Sequence, residues 1–152
     1  MLVLPTGQIL FTNGATTGSF GLKGPASVQL YRAAGVPRVE WAPVISSAPG
    51  TLVLGSYNNV IAGTQFNGLS QAVGYGDDAQ AATNYPLVRI TNNATGHVFY
   101  AATKNHTSMA VATGNTIVTT HFTVPAGIEL GASTLQVVAN GIASAAKNIT
   151  IN

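Results

Sequence analysis

The run Tyr85-Pro86-Leu87-Val88-Arg89-Ile90-Thr91 is followed, after the break Asn92-Asn93-Ala94-Thr95-Gly96, by His97-Val98-Phe99-Tyr100-Ala101. This pair of runs decides the fold class. Both are short, rich in β-branched and aromatic residues, and bounded by Pro, Asn and Gly, which is the signature of strands and turns. The same rhythm recurs at residues 8–12, 27–31, 51–54, 108–112, 116–123, 134–138 and 148–151. A spacing of about 8–12 residues between such runs is that of a sandwich or barrel. No long stretch carries apolar residues at i, i+3, i+4 and i+7, so an all-β chain is expected.

Two segments interrupt the rhythm. Residues 12–25 form a Gly/Thr/Ser loop that joins an N-terminal hairpin. Residues 63–84 make a longer connection that contains Phe66, Leu69 and Tyr75, an aromatic and aliphatic content that predicts an ordered, packed loop. A short helical turn over 77–82, capped by Asp77, fits its second half. Pro37 and Pro43 flank Arg38-Val39-Glu40-Trp41 and place a boundary near residue 37. The chain thus divides into a hairpin appendage at 1–36 and a sandwich of seven to nine strands at 37–152. Leu2, Leu4, Ile9, Phe11, Val28 and Leu30 would leave that hairpin with apolar side chains and open edges, so either it folds back on the sandwich or it pairs with another copy, and a homo-oligomer formed through it is expected.

Composition narrows the function. Charged residues are 7% of the 152 residues, against about 25% in ordinary soluble domains. The polar surface therefore comes from Thr, Asn, Ser, Gln and Gly, as in extracellular β-modules, and a secreted, periplasmic or cell-surface location is expected. Six basic and four acidic residues give a net charge of +2, and the basic residues form no run. Nucleic-acid binding, which needs clustered Lys and Arg, is not expected. No apolar run approaches the roughly 18–20 residues that span a bilayer, so no membrane segment is expected. The absence of Cys excludes disulfides and thiolate-zinc sites. Met1-Leu2-Val3-Leu4 meets Pro5 without a basic start, so any export signal is expected to belong to a longer parent chain.

Further stretches resemble a known arrangement. Leu4-Pro5-Thr6-Gly7-Gln8-Ile9-Leu10-Phe11-Thr12 and Ala26-Ser27-Val28-Gln29-Leu30-Tyr31 resemble closing strands of a β-propeller. Pro86-Leu87-Val88-Arg89-Ile90, Phe122-Thr123-Val124-Pro125-Ala126 and the run from Leu135 to Ser144 resemble the immunoglobulin-like, early-set (E-set) domain that follows it. The whole is similar to the C-terminal end of bacterial kelch-type, galactose-oxidase-like secreted proteins. The resemblance implies an E-set sandwich without the propeller that carries the oxidase chemistry. In the copper oxidases of that group the C-terminal domain adds one His, for which Gly96-His97 is the nearest match here. The Asp-Gln-Arg that usually follows is missing, and Val98-Phe99-Tyr100 reads as strand.

The chemistry-bearing residues are few. His97, His106 and His121 could form a three-imidazole metal site, or be three separate surface or hydrogen-bonded histidines. Asp77-Asp78, after Tyr75-Gly76, could hold a hard cation, or be a helix cap beside a solvated carboxylate. Glu40, Asp77, Asp78 and Glu129 are the only carboxylates, too few for an evident acid–base pair. No Gly-x-Ser-x-Gly elbow occurs. Trp41, Tyr75 and other aromatics suit a carbohydrate face, where a ring covers the apolar side of a sugar. The chain is therefore expected to be a non-catalytic binding or structural module, with Trp41, Tyr75, Asp77 and Asp78 at its binding face, no cofactor, and a carbohydrate or protein ligand. The alternative is a small hydrolase or metal-dependent enzyme that uses His97, His106 or His121 with Asp77 or Asp78.

Overall fold

The computed structural model describes residues 2–13, 27–70 and 85–152. Its elements are strands β1 (Leu2–Val3), β2 (Ile9–Asn13), β3 (Ser27–Tyr31), β4 (Val44–Ser47), β5 (Thr51–Leu52), β6 (Asn59–Thr64), β7 (Leu87–Asn92), β8 (Val98–Lys104), β9 (Val118–Phe122), β10 (Gly131–Ala139), β11 (Ile142–Ala143) and β12 (Lys147–Ile151). A single 3₁₀ turn covers Val39–Trp41, and no α-helix occurs among the described residues. The chain is all-β. The helical turn expected at 77–82 lies outside the described residues.

The strands form two sheets. β1, β2 and β3 make a small antiparallel sheet in that order. The remaining strands follow the path β4-β6-β9-β8-β7-β10-β12-β5, with β11 hairpinned onto β10. β8 is the hinge of this curled sheet. Its first part, Val98 to Ala102, pairs with β7, whereas Thr103 and Lys104 pair with β9. The two halves close on one core, in which Ile45, Ile61, Val118 and Phe122 from one side meet Val88, Ile90, Leu135, Val137, Ile149 and Ile151 from the other. Fully burying each such side chain stabilises the fold by about 1.5–3 kcal/mol, which explains why a chain without Cys closes without covalent staples.

Alternation sets which side chains face the core. In β7 Val88 and Ile90 are buried while Leu87, Arg89 and Thr91 are only half-covered, as the two-residue period of a strand requires. β10 runs from residue 131 to 139 and buries Ser133, Leu135 and Val137. β6 places Ile61 at full burial and Gly63 under a ring: a Cβ at 63 would lie 2.0 Å from the Val44 carbonyl oxygen and 2.6 Å from Phe66. Only glycine fits there.

Three details depart from expectation. Residues 108–112, expected as a strand, are irregular. Asn105 and Ala112 adopt positive φ of 52°, and the Ser108 hydroxyl accepts from the Ala110 N–H at 3.1 Å, so the local backbone turns instead of pleating. β6 and β4, by contrast, fall in stretches with no strand expectation. The N-terminal unit is also more than a hairpin, because β1 adds to the outer edge of β2.

The small sheet sits against the larger one through two turns. The Asn140-Gly141 turn between β10 and β11 has φ of 49° and 79° at its two central residues, the geometry of a type I′ hairpin turn. A Cβ on Gly141 would lie 2.3 Å from Gly7 Cα, so the β1–β2 turn rests directly on it. Val3, Leu4 and Pro5 meanwhile face Tyr85, Leu87 and Val138 across a small crevice.

Candidate functional site: the cleft at Trp41

Two clefts among the described residues meet at Trp41, and the contact between the two sheets walls the larger of them. On one side of Trp41 a cleft of about 290 Å³ is lined by Gly68, Leu69, Ser70, Asn140 and Ile142. On the other side a larger cleft of about 620 Å³ runs between Thr6, Gln8 and Arg32 and the Asn140–Ile142 turn. Trp41, Asn140 and Ile142 belong to both. Volumes of this size fall within the range of small-molecule sites.

The sequence around Trp41 explains its exposure. Pro43 is buried and anchors the chain as it enters β4, while Val39 to Trp41 form the 3₁₀ turn that lifts the indole outward. Trp41 remains 41% exposed. The Arg38 guanidinium lies 5.6 Å from the ring centroid, a cation–π contact that braces the indole. Arg38 also faces Glu40 at 3.8 Å, in a well-exposed pair that adds little stability. Asn140 donates from Nδ2 to the Ser70 carbonyl at 3.2 Å, and its Oδ1 has no hydrogen-bond partner among the described residues.

The three histidines are held in three different places. Among the described residues no group of three or more His, Cys, Asp or Glu side chains could hold a metal. His97 lies on the β7–β8 turn, where the Glu129 carboxylate accepts from its Nδ1 at 2.6 Å. The Thr95 hydroxyl donates to the other oxygen of Glu129 at 2.5 Å. These two hydrogen bonds, Thr95 first, hold the Glu129 carboxyl below the usual carboxylate range. The buried Asn92 fixes the turn: its Oδ1 accepts from the N–H groups of Ala94 and Thr95, and its Nδ2 donates to the Leu130 carbonyl. The order of partners does not make a nucleophilic triad, because the carboxylate, not the imidazole, sits in the middle.

His106 lies after β8, with its Nδ1 2.8 Å from the Thr120 hydroxyl and its ring edge-on to Tyr85 at 4.8 Å between centroids. Desolvation there lowers its pKa below the ordinary 6.5, and its Nε2 is buried without a partner. His121 lies in β9 next to Thr120. Successive strand residues point to opposite faces, so His121, paired with Val60 and Lys104, lies across the sheet from His106. Tyr75, Asp77 and Asp78 fall outside the described residues. Of the expected binding residues, Trp41 is therefore the one the structure places at a cleft. Asn140, Gln8 and Arg32 join it without any warning from the sequence, although Asn140-Gly141 is a readable hairpin turn.

No protein-family model matches the chain, no curated protein matches it in sequence, and no solved structure matches its fold.

Proposed function

We propose that this chain is a non-catalytic binding module of an extracytoplasmic protein, and that it takes a neutral saccharide in the cleft at Trp41. The observation that carries this is the placement of the chain's single tryptophan at the meeting of the two clefts, braced by Arg38 and half-exposed. An indole offers a sugar a flat apolar surface. Thr6, Gln8, Arg32 and Asn140 supply hydroxyl, amide and guanidinium groups around it. A ligand hydroxyl donated to Asn140 Oδ1, once the amide turns toward the cleft, relieves the unmet acceptor. The dispersal of His97, His106 and His121 favours binding over a metal-dependent reaction.

The fold and location belong to the same proposal. Two half-sheets closing on one core support an immunoglobulin-like, E-set sandwich of the kind that follows a kelch propeller. The low charge of the chain supports a secreted, periplasmic or cell-surface setting; no helix among the described residues is long and apolar enough to cross a membrane. A homo-oligomer through the small sheet is supported by Val28, Leu30 and Tyr31 of β3, which stay well exposed on an uncharged edge strand. Antiparallel pairing of β3 with a second copy about Gln29 sets Val28 opposite Leu30 in both directions.

Electrophoresis through gels containing neutral polysaccharides tests the saccharide assignment. The native protein is retarded by at least one polymer, and Trp41→Ala is not. Equal mobility of the two proteins in every gel, or release of reducing sugar during the run, overturns it.

A further inference from the structure

Arg89 stands out once the strands are in register. In β7 it lies opposite Tyr100 of β8 on one side and Gln136 of β10 on the other. All three point away from the core, since their neighbours Val88, Ile90, Ala101, Leu135 and Val137 are buried. They form one row across three strands, about 10 Å from end to end at the usual strand spacing. The adjacent row, Thr91 with Val98 and Thr134, adds two hydroxyls. On the other side, Leu87 and Val138 line a small crevice together with Val3, Leu4 and Pro5, so the row lies as a ledge beside that wall.

Among the described residues no carboxylate compensates the charge on this ledge. Arg89 is half-buried, and its buried Nε has no hydrogen-bond partner among them. The ion pairs among the described residues are Arg38 with Glu40 and His97 with Glu129, and neither includes Arg89. A guanidinium in a partly desolvated setting is the side chain best matched to a carboxylate, because its planar fork donates two parallel hydrogen bonds. Tyr100 is half-exposed beside it, and Gln136 spends its Nε2 on the Ser144 carbonyl at 2.7 Å, which leaves the amide oxygen as an acceptor. The row thus combines an aromatic surface, a carboxylate receptor and a hydroxyl acceptor.

We infer that the Tyr100–Arg89–Gln136 row is a second binding site, and that its ligand is an acidic saccharide of the uronic-acid type. The carboxylate pairs with Arg89, the apolar side of the sugar ring covers Tyr100, and a ring hydroxyl donates to Gln136 Oε1. A neutral saccharide leaves Arg89 unpaired, and an acidic peptide lacks the hydroxyl-bearing ring that the two flanking groups accept. The row shares no residue with the Trp41 cleft, so its ligand and its test are independent of that site.

The test is calorimetric titration of the full chain with polygalacturonate, neutral dextran and polyglutamate. Polygalacturonate binds the native protein, with affinity that falls as salt is raised. Arg89→Gln weakens it about tenfold or more, the scale of a lost charge-assisted hydrogen bond, and Arg89→Lys falls between the two because it keeps the charge without the fork. Thermal melting of Arg89→Gln no lower than native shows that the loss is not unfolding. Undiminished binding by Arg89→Gln, or polyglutamate bound as tightly as polygalacturonate, overturns the inference.

Discussion

Replacing Gly141 by Ala puts the junction between the two sheets under direct strain. Gly141 has φ of +79°, and a Cβ there would lie 2.3 Å from Gly7 Cα, 2.6 Å from Gly7 N and 3.0 Å from the Leu4 carbonyl oxygen. All three are backbone atoms, so no side-chain rotation relieves the clash. The left-handed backbone costs Ala about 1–2 kcal/mol, and overpacking adds roughly 1–3 kcal/mol. If the β1–β2 turn stays docked, the variant therefore loses about 2–5 kcal/mol. If the turn withdraws instead, the stability loss shrinks, but the amides of Leu4 and Gly7, which donate within that turn to Gln8 and Leu4, lose their protection. Gly114→Ala separates the two contributions, because Gly114 also has a positive φ (57°) but no atom within 4 Å of its Cβ position. Urea denaturation and amide exchange of all three proteins provide the comparison. Gly141→Ala is expected to be at least about 1 kcal/mol less stable than Gly114→Ala, or to exchange Leu4 and Gly7 markedly faster. Equality of the two variants in both measurements refutes the docked junction, and with it the cleft that the junction walls.

Two further outcomes follow from particular side chains. The lowered pKa of His106 means the unfolded chain binds a proton more readily than the folded one below the ordinary value of 6.5. Its contribution to stability is therefore complete above pH 6.5 and is lost as pH falls from there through the folded value; His106→Gln flattens that part of a pH–stability profile measured by denaturation. Leu30→Lys places a charge on the exposed edge strand β3, and light scattering is expected to show a native oligomer and a monomeric variant.

The legible part of this fold is the part governed by alternation. β7, β10 and β12 are readable because branched residues at every second position face a core, and the structure buries Val88, Ile90, Leu135, Val137, Ile149 and Ile151; β8, whose inward side is Phe99, Ala101 and Thr103, is readable from its aromatic and β-branched content. β6 is not legible in the sequence because its inward side is built from Ile61 and a glycine, with Phe66 supplying the bulk over Gly63 from beyond the strand. Residues 108–112 misled in the opposite sense: their composition suits a strand, but left-handed Asn105 and Ala112 turn the chain at both ends. The exposure of Trp41 is legible from its flanking prolines, and the structure leaves the ring 41% exposed. The setting of Arg89 is not, since an isolated arginine in a strand acquires neighbours only when register sets Tyr100 and Gln136 beside it. Nor could spacing reveal that His97, His106 and His121 lie on a turn, in a loop and across a sheet.

Trp41 is the only tryptophan in the chain, so its fluorescence reports on the cleft without labelling. Titration of the native protein with a neutral saccharide that retards it in gels should change the emission saturably, with the same midpoint as binding measured by calorimetry. A saccharide that binds in the calorimeter while the Trp41 emission stays constant contradicts the assignment of this cleft as the binding site.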